Sequence, residues 1–394
     1  METKKIFSPD CVTDKELRYS PCEFITDPAA TIDVSTDPEV LRRGKAFADE
    51  ITARHVADFE RPEDKMCHVS TFAVIDGMMY MTYYANTKEP SEDPKNQTAR
   101  LVYAPVNDPA GMTYLDLQTT GDKVGDETID MVYDTILMQK DADTIYILWT
   151  ARITTGNYYR FYCPFTLSTK TLGKIGVNRF QVGEITNDFS ATGIRSALAA
   201  NDLPCKNMFS DIGIMQKLSS RMENGERVYY TGTYSGDFTA IIKSRDLVTW
   251  EYVSQPDFPN ASKWENAVYV YDNKCYYFVR QQDTTQYGFL TAYHLDTGVW
   301  EKPVLVADCQ SRSDFIEYGG ALYLFHAPID RDHIGMLKID TDNLTKSYTV
   351  FEAKMDTSCF YPFIQYFEDG ELAMSYTVNR QHIRLARFTL KNYL

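Results

Sequence analysis

Apolar and polar positions along this chain form a unit that occurs six times. Each unit is an apolar run, a short polar turn and a second run rich in aromatic residues. A short apolar run bounded by turn residues is typical of a strand buried on both faces. The six units are FAVIDGMMYMTYY (72–84), ILMQKDADTIYILWTA (136–151), IMQKLSSRMENGERVYYTGTY (214–234), AVYVYDNKCYYFVR (267–280), FIEYGGALYLFHA (315–327) and FIQYFEDGELAMSYT (363–377).

The spacing of the units predicts how they are arranged. The last four turns are centred near 224, 272, 319 and 369, which gives intervals of 48, 47 and 50 residues. A period of 45–50 residues built from strands is the signature of a β-propeller. More alternating segments such as HIGMLKID and SYTVFEA follow each hairpin and fit outer third and fourth strands. The sequence therefore predicts an all-β fold, a six-bladed β-propeller.

The N-terminal segment has a predicted role in closing this ring. The sixth unit ends after HIRLARFTL, a third strand, so its fourth strand must come from the N-terminus. We assign residues 1–64 to this segment and residues 65–394 to the propeller, within a single domain. TDPEVLRRGKAFADEIT (36–52) fits a helix with Pro38 at its first position, but an N-terminal strand in this region is an equal alternative.

Composition excludes several classes of function. The net charge is −15 without a basic block, which argues against nucleic-acid binding. No apolar run approaches 18 residues and the N-terminus has no apolar signal core, so no membrane segment is predicted and a cytoplasmic location is expected. The eight Cys lack CxxC spacing, which favours buried reduced thiols over disulfides. No metal or other cofactor is predicted.

Candidate chemistry lies where the inner strands begin and the second strands end, because these points meet at one mouth of a propeller. Converging ionisable groups are costly in a core, so they favour a functional site over a solvated polar channel. Inner-strand starts carry His68, Asp134, Asp211, Glu265, Arg312 with Asp314, and Tyr361, and second-strand ends carry Tyr84, Arg152, Tyr234, Arg280, His326 and Thr377.

Two of these units resemble a known family. In WENAVYVYDNKCYYFVR, Glu265 opens a hairpin that Arg280 ends, 280 − 265 = 15 residues later, so both side chains return to one edge. The stretch is similar to a blade of the sialidases, six-bladed propellers in which such a Glu and Arg belong to the site. CFYPFIQYFEDGELAMSYT resembles the last sialidase blade, with Tyr361 in the place of the nucleophilic Tyr. The resemblance covers roughly residues 65–394.

The resemblance implies roles for the candidate residues. Tyr361 is the expected nucleophile with Glu265 as its base, and Arg280 is one of three arginines that grip the substrate carboxylate. His68 and His326 stand where the other two arginines belong. Further substrate contacts are expected from Tyr84, Arg152, Asp211 and Arg312.

The general acid is expected on the loop after the first hairpin (85–101). That loop offers Glu89, Glu92 and Asp93 without a way to choose among them, and Asp134 is a competitor.

Three functions are consistent with these residues. The first is a glycoside hydrolase that removes a terminal sugar other than ordinary sialic acid from a small oligosaccharide or glycoside. The second is a uronate lyase with His68 or His326 as base, Arg280 or Arg312 on the carboxylate and Tyr361 as acid. The third is a non-catalytic propeller that binds glycans or proteins.

Overall fold

The computed structural model describes residues 6–7, 27–204, 212–235, 238–256, 265–280, 286–309 and 311–394. Within these ranges the chain is all-β, as predicted: its strands form six sheets, accompanied by two α-helices. We number the sheets 1 to 6 in chain order and count the strands of each sheet outward from the first strand of its predicted hairpin.

Sheets 1 to 3 contain the first half of the repeats. Sheet 1 consists of Met66–Ile75, Met78–Asn86, Gln97–Pro105 and Thr113–Thr119. Sheet 2 consists of Glu127–Gln139, Thr144–Ile153 and Tyr158–Thr166, with the short edge strands Lys123–Val124, Thr171–Leu172 and Gly176–Val177. Sheet 3 has an interrupted first strand and consists of Ile212–Ile214, Ser219–Glu223, Glu226–Ser235, Phe238–Ser244, Thr249–Ser254, Arg179–Val182 and Ile185–Asp188.

Sheets 4 to 6 contain the second half, and two of them recruit N-terminal strands. Sheet 4 consists of Asn266–Tyr271, Lys274–Val279, Tyr287–His294, Val304–Ala307 and Ala30–Ile32. Sheet 5 consists of Asp314–Tyr318, Ala321–His326, His333–Ile339 and Tyr348–Lys354. Sheet 6 consists of Cys359–Tyr366, Leu372–Val378, His382–Phe388 and His55–Asp58.

The six predicted hairpins are confirmed, each as an antiparallel pair of first and second strands. Turn chemistry explains two of them directly. Asp76 and Gly77 have φ of 49° and 75°, and Asn224 and Gly225 have φ of 51° and 85°. Two successive positive φ angles define the type I′ turn, whose twist matches that of the flanking strands and which favours Asp-Gly and Asn-Gly.

The N-terminal segment contains both elements that the sequence left open. Helix α1 spans Pro38–Ala53, and the Asp37 side chain caps it by accepting a hydrogen bond from the Glu39 amide at 2.9 Å. The strand His55–Asp58 then pairs antiparallel with His382–Phe388, in the outer position of sheet 6 where an N-terminal strand was expected. The parallel pairing of Ala30–Ile32 with Val304–Ala307 was not predicted.

The segment between sheets 2 and 3 was also not predicted. The turns near 141 and 224 are 83 residues apart, well above the 47–50 residues of the later repeats. The additional chain forms the two outer strands of sheet 3 and helix α2, Ala191–Ala200, which Ser190 caps through its side chain. Neither described helix is long and apolar enough to cross a membrane.

Apolar cores lie between neighbouring sheets, because both faces of the inner strands are covered. Consecutive sheets contact each other through their inner strands, and the first strand of sheet 6 contacts that of sheet 1. Trp149 and Trp250 are among the largest fully buried side chains. The five cysteines among the described residues are free thiols and four of them are buried, while Cys11, Cys22 and Cys205 lie outside the described residues.

Candidate active site

Bulges in three inner strands turn side chains toward a common centre. The register of the first hairpin shifts after His68 in sheet 1, after Tyr133 in sheet 2 and after Phe360 in sheet 6. A residue with left-handed backbone lies at each bulge: Val69 (φ 54°), Asp134 (φ 57°) and Tyr361 (φ 55°). Bulges re-aim side chains, and strained backbone of this kind clusters at functional sites.

The bulges open onto a cavity of about 210 Å³, and each of the six sheets or its loops contributes to its wall. The wall is polar and charged, unlike the apolar strand bodies below it. Its lining residues are Val69, Tyr84, Glu92, Tyr133, Asp134, Tyr234, Glu265, Arg280, Arg312, Arg331, Tyr361 and Arg380.

Glu265 is the centre of the contacts in this cavity. Its carboxylate forms ion pairs with Arg280 Nε at 3.0 Å and Arg312 Nε at 2.8 Å. The Tyr361 hydroxyl donates to the same carboxylate, at 3.2 Å from Oε1 and 3.1 Å from Oε2. Glu265, Arg280 and Tyr361 come from two distant repeats of the sequence. The Glu265 carboxylate contacts both of the others and so brings the three together.

Charge and burial set the protonation of this cluster. Burial acts to raise the pKa of Glu265, but Arg280 and Arg312 outweigh it and hold the pKa below its usual value. Burial and the adjacent Glu265 charge raise the pKa of Tyr361 above its usual value. The resting cluster is thus a charged carboxylate that accepts a hydrogen bond from a neutral phenol, which is the arrangement a base needs before it activates a nucleophile.

A second buried carboxylate, Asp134, extends this network. Arg312 Nη1 lies 2.5 Å from Asp134 Oδ1, and Arg160 Nη1 lies 3.1 Å from Oδ2. Arg160 is fully buried and also donates to the Asp134 carbonyl and to Thr150. Because two arginines hold Asp134, its expected role is to balance their positive charge and not to donate a proton.

Of the three loop carboxylates considered as the acid, Glu92 is the one that lines the cavity. The Tyr84 hydroxyl donates to Glu92 Oε1, and Arg380 forms an ion pair with Oε2. Glu89 and Asp93 instead accept hydrogen bonds from the side-chain amide of Asn96. Asp93 also caps a short turn of helix.

Sequence reasoning missed two arginines in the wall, Arg331 and Arg380. Both come from loops that join the second and third strands of their sheets, and their guanidinium carbons lie 5.4 and 5.3 Å from the ring centre of Phe360. With Arg280 and Arg312 they make four arginines against the three carboxylates of the wall, a formal balance of 4 − 3 = +1. No strand pattern marks a loop arginine, so periodicity offered no signal for them.

His68 lies behind the cavity wall. Its ring stacks on Tyr361, with centroids 4.6 Å apart and an interplanar angle of 26°, and Nδ1 lies 3.1 Å from Thr377 Oγ1. Burial, with the positive charge of Arg380 and Arg312, lowers its pKa well below the usual value. His68 is therefore a neutral support for Tyr361 and does not line the cavity.

Two other expected site residues that the structure describes, His326 and Arg152, are not brought to the cavity. His326 is buried against Phe278, and burial lowers its pKa to about 4, so it carries no charge at neutral pH. Arg152 forms a paired contact with Asp130 instead, at 2.7 and 2.9 Å. Asp211 lies outside the described residues.

Two groups of described side chains have the composition of a metal site, and neither lines the cavity. They are Asp58, Glu60 and His382, and Asp330, Asp332 and His333.

The fold has counterparts among solved structures. The Trypanosoma rangeli sialidase in complex with 2,3-difluorosialic acid, a covalent intermediate, matches with a TM-score of 0.55 at 15% identity, over 82% of this chain and 54% of that chain. The Hadza microbial sialidase Hz136 matches at 0.56 and 11% identity, over 84% and 67%. The NanB sialidase of Streptococcus pneumoniae matches at 0.56 and 8% identity, over 86% and 71%.

These matches show that the chain shares the sialidase fold, as the resemblance implied. The chain spans about half the length of the Trypanosoma rangeli chains it matches. No protein-family model matches the chain. No curated protein matches it either.

Proposed function

We propose that this protein is a retaining glycoside hydrolase that removes a terminal, carboxylate-bearing sugar other than ordinary sialic acid. One observation carries the proposal: the Tyr361 hydroxyl lies 3.1–3.2 Å from both oxygens of the buried Glu265 carboxylate, at the wall of a charged cavity. A binding surface needs aromatic rings and donors, but it does not need a phenol buried against a base.

The proposed reaction begins at the anomeric carbon. The Tyr361 oxygen attacks this carbon while its proton passes to Glu265, and the bond to the leaving-group oxygen breaks. Sialidases with a Tyr nucleophile are an exception to the two-carboxylate rule for glycosidases. Water then attacks the same carbon and gives up a proton to Glu92, which lost its own to the leaving group in the first step; the bond to Tyr361 breaks, and the phenol recovers its proton from Glu265.

Glu92 is the proposed donor of the proton to the leaving group. Its carboxylate forms an ion pair with Arg380, and an adjacent guanidinium favours the charged form of a carboxylate. A substrate carboxylate that binds Arg380 would displace Glu92 and leave it free to take up a proton. Substrate binding would thereby prepare the acid.

The arginines of the cavity wall favour an anionic sugar as the substrate. They enter the cavity from different positions than the arginines of the sialidase triad. Neither His68 nor His326 presents a charge to the cavity, whereas Arg331 and Arg380 enter it from loops. We propose that Arg280, Arg331 and Arg380 hold the carboxylate. A cavity of about 210 Å³ suits one small sugar ring better than an oligosaccharide.

The other two functions have less support. A lyase that used His68 or His326 as its base would need that imidazole in contact with the substrate, and neither histidine lines the cavity. A binding propeller does not need a phenol held against a carboxylate, so it leaves the Tyr361–Glu265 contact unexplained.

The architecture and setting complete the proposal. We propose a closed six-bladed propeller in a single domain, with residues 1–64 as the segment that closes it. The contact between sheets 6 and 1 and the pairing of His55–Asp58 with His382–Phe388 support this closure. A cytoplasmic location and a small soluble substrate remain part of the proposal.

A screen of fluorogenic glycosides tests the function. We expect release of free sugar from a glycoside of an acidic sugar, with no absorbance near 235 nm, which is where an unsaturated uronate from a lyase would absorb. Release of an unsaturated product would identify the lyase instead. Binding without any turnover across the screen would favour the non-catalytic alternative.

A further inference from the structure

A second depression lies beside the candidate active site. This outer groove has a volume of about 460 Å³, roughly twice that of the inner cavity. It is formed by the chain before the first strand of sheet 1, by Pro90 on the loop that follows the first hairpin, and by Gln381 and His382 in sheet 6.

The two depressions share a wall. Pro90 lines the outer groove and Glu92, two residues later, lines the inner cavity. In the same way Gln381 lines the groove and its neighbour Arg380 lines the cavity. The ion pair between Glu92 and Arg380 therefore joins the two loops that line both spaces.

We propose that the outer groove binds the leaving group, the sugar unit to which the removed sugar is attached; the inference rests on the proposed function. The acid that protonates the leaving oxygen must be within hydrogen-bond reach of it. If Glu92 is that acid, the leaving group lies next to Glu92, on the side away from Tyr361. The outer groove is the space that the structure provides there.

The chemistry of the groove indicates a neutral, polyhydroxylated ligand. Most of its charged groups are paired: Glu60 Oε1 lies 2.7 Å from His382 Nδ1, Asp64 forms an ion pair with Arg100 at 2.5 Å, and Arg61 Nε lies 3.5 Å from Glu63. Little net charge is left to attract an ion. The exposed Lys65 ammonium has three donors and gives one of them to the Lys88 carbonyl at 2.8 Å, so it can also contact a sugar hydroxyl, as can the Gln381 amide.

Direct binding to the leaving-group site is tested without turnover. The probes are lactose, maltose and cellobiose, and saturation-transfer NMR measures their binding to the full chain. We expect one of them to bind the wild type and Tyr361→Phe alike, and His382→Ala and Lys65→Ala to weaken binding at least fivefold. His294→Ala is the matched control, because His294 pairs with Glu301 at 2.8 Å in sheet 4, far from the groove in sequence.

Turnover gives the second readout. For a glycoside that the enzyme cleaves, we expect His382→Ala to lower kcat/KM with a disaccharide leaving group at least tenfold more than with a methylumbelliferyl leaving group. If His382→Ala is poorly folded by circular dichroism, His382→Gln replaces it. No disaccharide binding, or equal losses for both leaving groups, would overturn the leaving-group site. Absence of all glycoside turnover with disaccharide binding intact would instead overturn the proposed function.

Discussion

Two clusters of buried charge lie on or directly beside the inner strands, and they differ in what surrounds them. Glu265 faces two arginines and a tyrosine hydroxyl at the wall of a cavity. Asp314 faces one ammonium, that of Lys217, at 3.0 Å, and neither residue lines that cavity.

The second cluster is bound to the backbone of sheet 6. Lys217 Nζ donates to the Ile364 carbonyl at 2.7 Å, and the Ile364 amide donates to Asp314 at 2.8 Å. These bonds join sheets 3, 5 and 6 through their first strands or the chain beside them. A buried pair that is satisfied by the main chain can hold strands in place, but it has no access to a substrate.

The surroundings of Glu265 and Asp314 also shift the pKa values of the two acids in opposite directions. The arginines hold the pKa of Glu265 below its usual value, whereas burial raises the pKa of Asp314 to about 6. Buried charge alone therefore does not mark a catalytic group. An excess of cations, a hydroxyl partner and an open cavity together distinguish Glu265 from Asp314.

The largest expected effect is the loss of activity in Tyr361→Phe. Removal of the nucleophile should lower kcat by roughly 10³-fold or more, and Glu265→Gln should have a similar effect through loss of the base. Tyr376→Phe is the matched control, because Tyr376 is also a buried tyrosine of sheet 6 but lies outside the cavity. Comparable turnover in Tyr361→Phe and Tyr376→Phe would remove Tyr361 from the mechanism.

The next largest effect is on stability, at the other cluster. Lys217→Met should lower the free energy of unfolding by about 3–5 kcal/mol, because it leaves the Asp314 charge buried without its partner. Lys217→Met combined with Asp314→Asn should recover part of this loss. Urea unfolding measures both. If Lys217→Met alone is as stable as the wild type, the pair does not support the fold.

A smaller effect is expected from the loop arginines. Arg331→Ala and Arg380→Ala should each raise KM for an acidic glycoside by roughly 10- to 100-fold, about 1.4–2.7 kcal/mol, because each removes a charge-assisted contact to the carboxylate. Arg152→Ala is the control, since Arg152 pairs with Asp130 away from the cavity. If Arg152→Ala raises KM as much as the loop variants, the carboxylate site is wrongly placed.

The last expected effect is on the pH dependence of stability, where the two acids should act with opposite sign. The pKa of Asp314 is raised from 3.8 to about 6, so its contribution to stability is present at low pH and is lost as the pH rises through this window. The pKa of Glu265 is lowered from 4.5, so its contribution is present above that value and is lost as the pH falls below it.

Urea unfolding between pH 3 and 7 separates the two acids. Relative to the wild type, Asp314→Asn should gain stability as the pH rises from about 4 to 6. Glu265→Gln should depart from the wild-type pH dependence only at the acid end. The same pH profile for both variants would contradict the assigned difference.

The sequence predicted the hairpins and the centre of the site for a clear physical reason. Inner strands are apolar on both faces and end at turns with recognisable residues, so their ends could be located to within a few residues. The 15-residue separation of Glu265 and Arg280 then placed both at one edge, and their ion pair agrees with this. Tyr361 was placed by resemblance, and its contact with Glu265 supports that placement.

The remaining wall depends on features that strand patterns do not encode. Arg331 and Arg380 extend from loops, and Glu92 could not be told from its acidic neighbours until the loop was folded. The prediction that residues at strand ends face the cavity was also wrong for His326 and Arg152, whose side chains contact other residues. Val69, a β-branched residue with φ of 54°, marks a bulge that no propensity predicts.

Trapping of the covalent intermediate tests the central claim most directly. The protein would be incubated with fluorinated glycosyl fluorides of several acidic sugars, including 2,3-difluorosialic acid, and analysed by intact and peptide mass spectrometry. We predict an adduct with one of the smaller acidic sugars, located on Tyr361 and absent from Tyr361→Phe. An adduct on another residue, or turnover of a matching glycoside that persists in Tyr361→Phe, would contradict the account.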